Sequence, residues 1–168
     1  MRAEAPAILT CAVSGGVVTS NPNQPVGRDD VIAAAIDAAR AGASIVHVHA
    51  RTSAGEMTQA PEDYFAIKQA IREQVDDVVL NFTTGGQLGT LAEESRRSLT
   101  AQPELATLNC GSMNFGTGDD TLMSPRSLIA ELAEEMAQRG IVPEYECFDL
   151  GMAVTAAELA SEASGAPE

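Results

Sequence analysis

A chain of 168 residues with 45% apolar and 20% charged residues has the material for one folded domain with a core, which excludes general disorder. Its 24 acidic residues outnumber 10 basic ones, for a net charge of −14. So large an acidic excess excludes nucleic acid as a partner, because phosphate binding needs clustered Lys and Arg, while a small anionic substrate stays open, since a metal ion and a few donors reverse the field locally.

Residues 7–13 are almost continuously apolar, which predicts a strand covered on both faces. Ser14-Gly15-Gly16 and a polar loop through Asn21-Pro22-Asn23-Gln24-Pro25 follow. From about Asp29 the pattern turns helical, with Val31, Ile32, Ala35, Ile36 and Ala39 on one stripe and Gly42 where a helix stops. Next comes Ser44-Ile45-Val46-His47-Val48-His49-Ala50-Arg51, a buried strand that ends in the two histidines of the chain. Side chains alternate along a strand, so His47 and His49 point one way and Val46 and Val48 the other. At the carboxyl end of a parallel strand, where such folds carry their sites, two neighbouring imidazoles make the nitrogen half of a divalent transition-metal site. The alternative is a pair of inert, hydrogen-bonded polar residues.

Residues 52–59 read as a loop, and Pro61 opens a helix with Glu62 and Asp63 in its first turn and Tyr64, Ile67, Ala70 and Ile71 inside. Residues 77–82 predict a third strand that runs into Thr83-Thr84-Gly85-Gly86. Thr90-Leu91-Ala92-Glu93 has the spacing of a capping box. Residues 104–109 predict a fourth strand and 111–120 a long glycine-containing loop. Ser124-Pro125 starts a helix with Leu128, Leu132 and Met136 inside, closed by Gly140. Residues 141–148 predict a fifth strand, charged at Glu144 and Glu146. Thr155-Ala156-Ala157-Glu158 is placed to cap a last helix with a frayed tail of Ala, Ser, Gly and Pro.

Alternating βα units with apolar strands imply an α/β fold with a parallel sheet. The recurrence suits a (β/α)8 TIM barrel, which takes about 250 residues; here only the first five βα units are present. No linker interrupts the chain, so residues 1–168 read as a single incomplete barrel domain, truncated at the C-terminus. Its open sheet edges would drive self-association into a homo-oligomer. Cys11, Cys110 and Cys147 are odd in number and set in apolar runs, as buried free thiols of a reducing compartment are. Glu4 ahead of a short run containing Thr10 argues against export, and no run reaches membrane-spanning length. A cytoplasmic protein with no membrane partner is expected.

Several groups are candidates for chemistry. Thr83-Thr84-Gly85-Gly86 offers N–H groups and hydroxyls as an anion nest, or else a plain turn. Thr107 and Asn109 share one face at the end of strand four. A carboxylate at Glu144 or Glu146 that faces a barrel interior is costly unless paired or bound. Arg51 is placed to hold a carboxylate in two bonds or to pair with an acidic neighbour at the rim. The acidic pairs Glu62-Asp63, Glu93-Glu94 and Glu134-Glu135 read as solvated helix faces.

Five motifs follow one another in register: Leu9-Thr10-Cys11-Ala12-Val13-Ser14-Gly15, His47-Val48-His49-Ala50-Arg51, Thr83-Thr84-Gly85-Gly86, Thr107-Leu108-Asn109-Cys110-Gly111-Ser112-Met113-Asn114-Phe115-Gly116 and Pro143-Glu144-Tyr145-Glu146. Together they resemble the β-keto acid cleavage enzymes, from about residue 6 to 152. The resemblance implies a zinc-bearing (β/α)8 barrel, an acyltransferase that takes a β-keto acid and acetyl-CoA to acetoacetate and a new acyl-CoA. It implies His47 and His49 as zinc ligands, Thr83, Gly86 and Thr107 as holders of the keto acid's carboxylate, and Glu146 in the pocket. With the neighbouring motif residues, Glu146, Asn109 and Arg51 become the catalytic candidates. Thr83, Thr84, Gly85, Gly86, Thr107 and Val17 become the substrate-binding ones. Thr83 stands where the family has serine, and Val17 where its amino-substrate member has an acidic residue, so an uncharged far end of the substrate is expected. The third zinc ligand and the proton-handling Arg and Asp implied by the family belong to a later half that this chain lacks. Two other readings stay open: a catalytically inactive half-barrel fragment that binds metal or a partner, and a metal-dependent hydrolase or aldolase, which would act without acetyl-CoA.

Overall fold

Proline and glycine punctuate the helices where the sequence pattern expects. In the computed structural model, which describes residues 7–85, 94, 96–115 and 119–164, α1 (Arg28–Arg40) starts after Gly27, whose N–H donates to Asp30 Oδ2 (3.1 Å). Asp29 and Asp30 in its first turn complement the positive end of the helix dipole. α2 (Pro61–Arg72) opens on Pro61, whose missing N–H is no loss in a first turn. α3 (Arg126–Arg139) is closed by Gly140, which takes the left-handed conformation (φ 69°) that a helix stop favours.

The last helix, α4 (Leu150–Ser164), corrects the sequence reading at its start. It begins ahead of Thr155, because the Asp149 carboxylate accepts the Met152 N–H (2.8 Å) as an N-terminal cap. Thr155 lies inside the helix and turns its hydroxyl back to the Gly151 carbonyl (3.2 Å). Of the tail expected to fray, residues 165–168 lie outside the described residues, and the helix is described through Ser164.

Five strands, β1 (Thr10–Ala12), β2 (Ile45–Val48), β3 (Val79–Phe82), β4 (Leu105–Asn109) and β7 (Val142–Glu146), form one parallel sheet in the order β1-β2-β3-β4-β7. The segment expected as a plain loop after β4 carries a small antiparallel ribbon, β5 (Met113–Asn114) with β6 (Thr121–Leu122), tied by Phe115 N–H to Asp120 O (2.8 Å). The capping box expected at Thr90-Leu91-Ala92-Glu93 lies outside the described residues; a 3-10 turn (Arg97–Ala101) precedes β4.

In-register pairing decides which side chains share a face. Val46, Val48, Leu80 and Phe82 face outward and pack with Val31, Ala35, Tyr64, Ile67 and Ile71. Ala106 and Leu108 do the same with Leu128, Ile129, Leu132 and Met136. Each large apolar side chain buried this way contributes about 1.5–3 kcal/mol. The opposite face carries His47 beside Asn81, Thr107 beside Glu144, and Asn109 beside Glu146. Tyr64 and Phe82 meet ring to ring (centroids 4.8 Å apart) beneath this polar face. The Tyr64 hydroxyl reaches the Ala50 N–H and the Thr83 carbonyl (3.5 Å each), which fixes α2 against the ends of β2 and β3.

The first strand departs from expectation. Only residues 10–12 pair, and Ile8 and Leu9 are 76% and 58% exposed, because β1 is an edge with β2 as its one partner among the described residues. An apolar run reports that a strand seeks cover without reporting that a neighbour supplies it. β7 is the other edge, with Val142 58% exposed. The fold is a partial (β/α) barrel, an arc of five strands with its helices outside. Cys110 is buried as expected, whereas Cys11 is half-buried and Cys147 exposed; all three are free thiols. No helix among the described residues is long and apolar enough to cross a membrane.

Candidate active site

His47 and His49 stand side by side on the polar face, as period-two alternation requires, with ring centroids 5.0 Å apart and planes at 83°. The Ser14 hydroxyl accepts the His49 N–H (3.0 Å) and donates to the His49 carbonyl (2.9 Å), clamping the end of β2 to the chain after β1. Gly16 lies against the imidazole: a Cβ there would sit 3.3 Å from His49 Cε1. Burial, then His47, then Arg51 push His49 down to about 3. Burial also lowers His47, against the opposing pull of Glu144 and Asn81. Both rings are therefore neutral at physiological pH, and both Nδ1 atoms are buried without a hydrogen-bond partner. Paired, neutral, unspent imidazoles fit two ligand positions of a divalent metal. Among the described residues no third His, Cys, Asp or Glu joins them in a metal-holding group.

The imidazole of His49 forms part of the wall of a cavity of about 700 Å³ at the carboxyl ends of the strands. Its polar side is made by Thr83, Gly85, Asn109, Glu146 and Arg51, and its outer side by Val17, Val18, Met57, Phe115, Leu122 and Phe148, with the exposed Glu56 at the mouth. The Thr83 hydroxyl accepts the Gly85 N–H (2.9 Å), and Gln59 Nε2 donates to the Gly85 carbonyl (3.0 Å), which fixes the turn after β3. Thr84 and Thr107 are spent on each other. The Thr84 N–H donates to Thr107 Oγ1 (3.2 Å) and the Thr84 hydroxyl to the Thr107 carbonyl (2.7 Å), so both are buried as a suture between β3 and β4 and do not line the cavity. Gly86 lies outside the described residues. Val17, 54% exposed, stands at the mouth.

Arg51 is 2% exposed, an extreme for a cation. Its guanidinium donates to the carbonyls of Gly15 (3.0 Å) and Gly55 (3.4 Å), its Nε has no partner, and no acidic side chain pairs with it among the described residues. Glu146 is raised from its ordinary value, first by burial and then by Glu144. Glu144 in turn accepts a hydrogen bond from Asn81 Nδ2. Asn81 escaped the sequence reading although its place two residues before Thr83 signals the same face; Ser14 carries no such signal, nor do the apolar loop residues, because loops have no period.

Comparisons with known proteins follow this geometry. A family model described as beta-keto acid cleavage enzyme matches residues 6–167. The 3-keto-5-aminohexanoate cleavage enzyme of Acetoanaerobium sticklandii is 36% identical over 157 residues, 92% of this chain and 57% of its own. The 3-dehydrocarnitine:acetyl-CoA trimethylamine transferase of Rhizobium meliloti is 34% identical over 177 residues, 92% of this chain and 59% of its own. The chain thus spans about half the length of the curated relatives it matches. ObcA, solved as a ternary complex with a C4-CoA adduct and oxalate, shares the fold with a TM-score of 0.72 at 21% identity, over 84% of this chain and 35% of that one. With a family model covering almost its whole length, the chain belongs to the β-keto acid cleavage enzyme family.

Proposed function

We propose that the protein is a zinc-dependent acyltransferase that condenses a β-keto acid with acetyl-CoA to give acetoacetate and a new acyl-CoA. The observation that carries the proposal is the neutral His47/His49 pair, whose His49 ring lies on the wall of a cavity that also presents a hydroxyl, an amide and a carboxyl group. The two imidazoles would hold the zinc, which when bound would supply Lewis acidity. The chain's own groups do the rest. Thr83 Oγ1 and Asn109 Nδ2 are donors for the carboxylate of the keto acid, at the ends of adjacent strands, with Gly86 next in the chain and Thr107 bracing the turn from β4. Arg51, unspent on any carboxylate, biases the cavity toward anions and offsets the two glutamates of β7. Glu146, with its raised carboxyl, is the group at whose Oε a proton is exchanged with the substrate.

The outer wall of Val17, Val18, Phe115 and Phe148 suits a keto acid with an uncharged, apolar far end. Among the described residues, the carboxylate beside that outer wall is the solvated Glu56. The same reading makes residues 1–168 a single incomplete (β/α) barrel domain of a cytoplasmic homo-oligomer. The test pairs metal analysis with an assay of acetyl-CoA-dependent acetoacetate formation, on an aliphatic β-keto acid and on its amino analogue. Zinc is expected in the wild type and lost in the His47→Ala/His49→Ala double variant, with turnover favouring the aliphatic acid. Zinc retained by the double variant, or turnover without acetyl-CoA, overturns the proposal.

A further inference from the structure

Two thiols that the proposed chemistry does not use lie next to each other beneath the site. The ladder between β4 and β7 runs in register to Asn109 and Glu146, where the Cys110 N–H donates to the Glu146 carbonyl (3.1 Å). Cys110 and Cys147 are therefore the residues that directly follow the last paired positions of two adjacent strands. Asn109 and Glu146 face the cavity, so alternation turns both cysteines to the other face. There the Cys110 thiol reaches the Leu108 carbonyl (3.4 Å), and Cys147 is the neighbouring side chain that acts on it electrostatically. Adjacent strands lie about 4.8 Å apart, inside the span of about 4.4–6.8 Å between Cα atoms that a disulfide bridges. One thiol is buried and the other exposed, so an oxidant has a point of entry and the intermediate has a neighbour to resolve it.

We propose that Cys110 and Cys147 form a reversible disulfide on exposure to a small-molecule disulfide. The Cys147 thiolate attacks one sulfur of the reagent and expels the other as a thiolate. The Cys110 thiol then loses its proton to solvent, and its sulfur attacks Cys147 Sγ and expels the second reagent thiolate. Two protein thiols are oxidised to one disulfide, and one reagent disulfide is reduced to two thiols. Burial, then the charge and hydrogen bond of Cys147, hold Cys110 up at about 12, which assigns the first attack to Cys147. Cys110, beside the capped Cys147, makes the second attack. The cross-link pins edge strand β7 to β4 and fixes the separation of Asn109 and Glu146 above it.

The experiment treats the chain with oxidised glutathione and reads intact mass and free thiols. The wild type is expected to lose two hydrogens, keep no glutathione and show one remaining thiol, Cys11; dithiothreitol restores three. Cys110→Ala is expected to stop at a glutathione adduct on Cys147. Cys147→Ser, at an exposed position, is expected to keep Cys110 reduced. A stable adduct on Cys147 in the wild type, or three thiols still free after the oxidant, overturns the proposal.

Discussion

Asn81 is the side chain whose removal tests the polar interior most directly. It is fully buried on β3, and its Nδ2 donates to the Glu144 carboxylate across the arc. Asn81→Ala removes a hydrogen bond to a charged group, a loss of about 1.5–3 kcal/mol. Breaking a fully buried charge pair costs about 3–5 kcal/mol, but Glu144 is only partly buried, and water recovers some of its solvation. The expected cost is therefore about 2–3 kcal/mol, a fall of roughly 30- to 150-fold in the folding equilibrium constant. A double-mutant cycle with Glu144→Ala separates the pair from the cavity that each truncation leaves. Urea unfolding at pH 7, with slopes unchanged between variants, is expected to give a coupling of about 1.5–2 kcal/mol. Effects that add to within about 0.5 kcal/mol would refute the reasoning, since Asn81 and Glu144 would then be neighbours without being partners.

Two further perturbations follow from local geometry. Burial and Glu144 raise the Glu146 carboxyl, so the folded chain holds a proton that the unfolded chain has lost, and stability falls as pH rises through that window above the ordinary carboxylate value. Glu146→Gln removes this term and is expected to raise the urea midpoint at pH 8 while leaving it near wild type at pH 4; equal shifts at both would rule the carboxyl out as the cause. Gly55 sits at φ 87°, and a Cβ there would come within 2.8 Å of Val26 Cγ1 and 3.2 Å of the Val26 carbonyl. Gly55→Ala therefore combines left-handed strain of about 1–2 kcal/mol with a packing clash of similar size, and calorimetry is expected to show Tm lower by about 5–10 °C. A Tm within a degree of wild type would mean that the loop relaxes.

The parts legible in the sequence are those where local chemistry and tertiary role coincide. Gly42, Pro61 and Gly140 bound helices because their backbone preferences act over one turn. His47 and His49 share a face because strand alternation needs no knowledge of neighbours. Elsewhere the answer depended on distant segments. The apolar run at residues 7–13 announces a strand, but whether Ile8 and Leu9 find cover is decided by a partner on the far side of β1. The start of α4 was hidden because Leu150, 87% exposed, and Val154 place apolar residues toward solvent, which blurs the helical stripe. Thr84 and Thr107 offer hydroxyls on the sequence alone, and that the two hydrogen-bond to each other depends on how β3 and β4 meet. β5 and β6, two residues each, are too short to leave a periodic trace.

The spatial order β1-β2-β3-β4-β7 is also the temporal order of synthesis. Each strand pairs with one already made, so no ladder in the arc waits for a segment far downstream. A nascent chain emerging from the ribosome can add one βα unit at a time to a growing edge. The His47/His49 pair is assembled once β1, α1 and β2 are out, long before the carboxylates of β7.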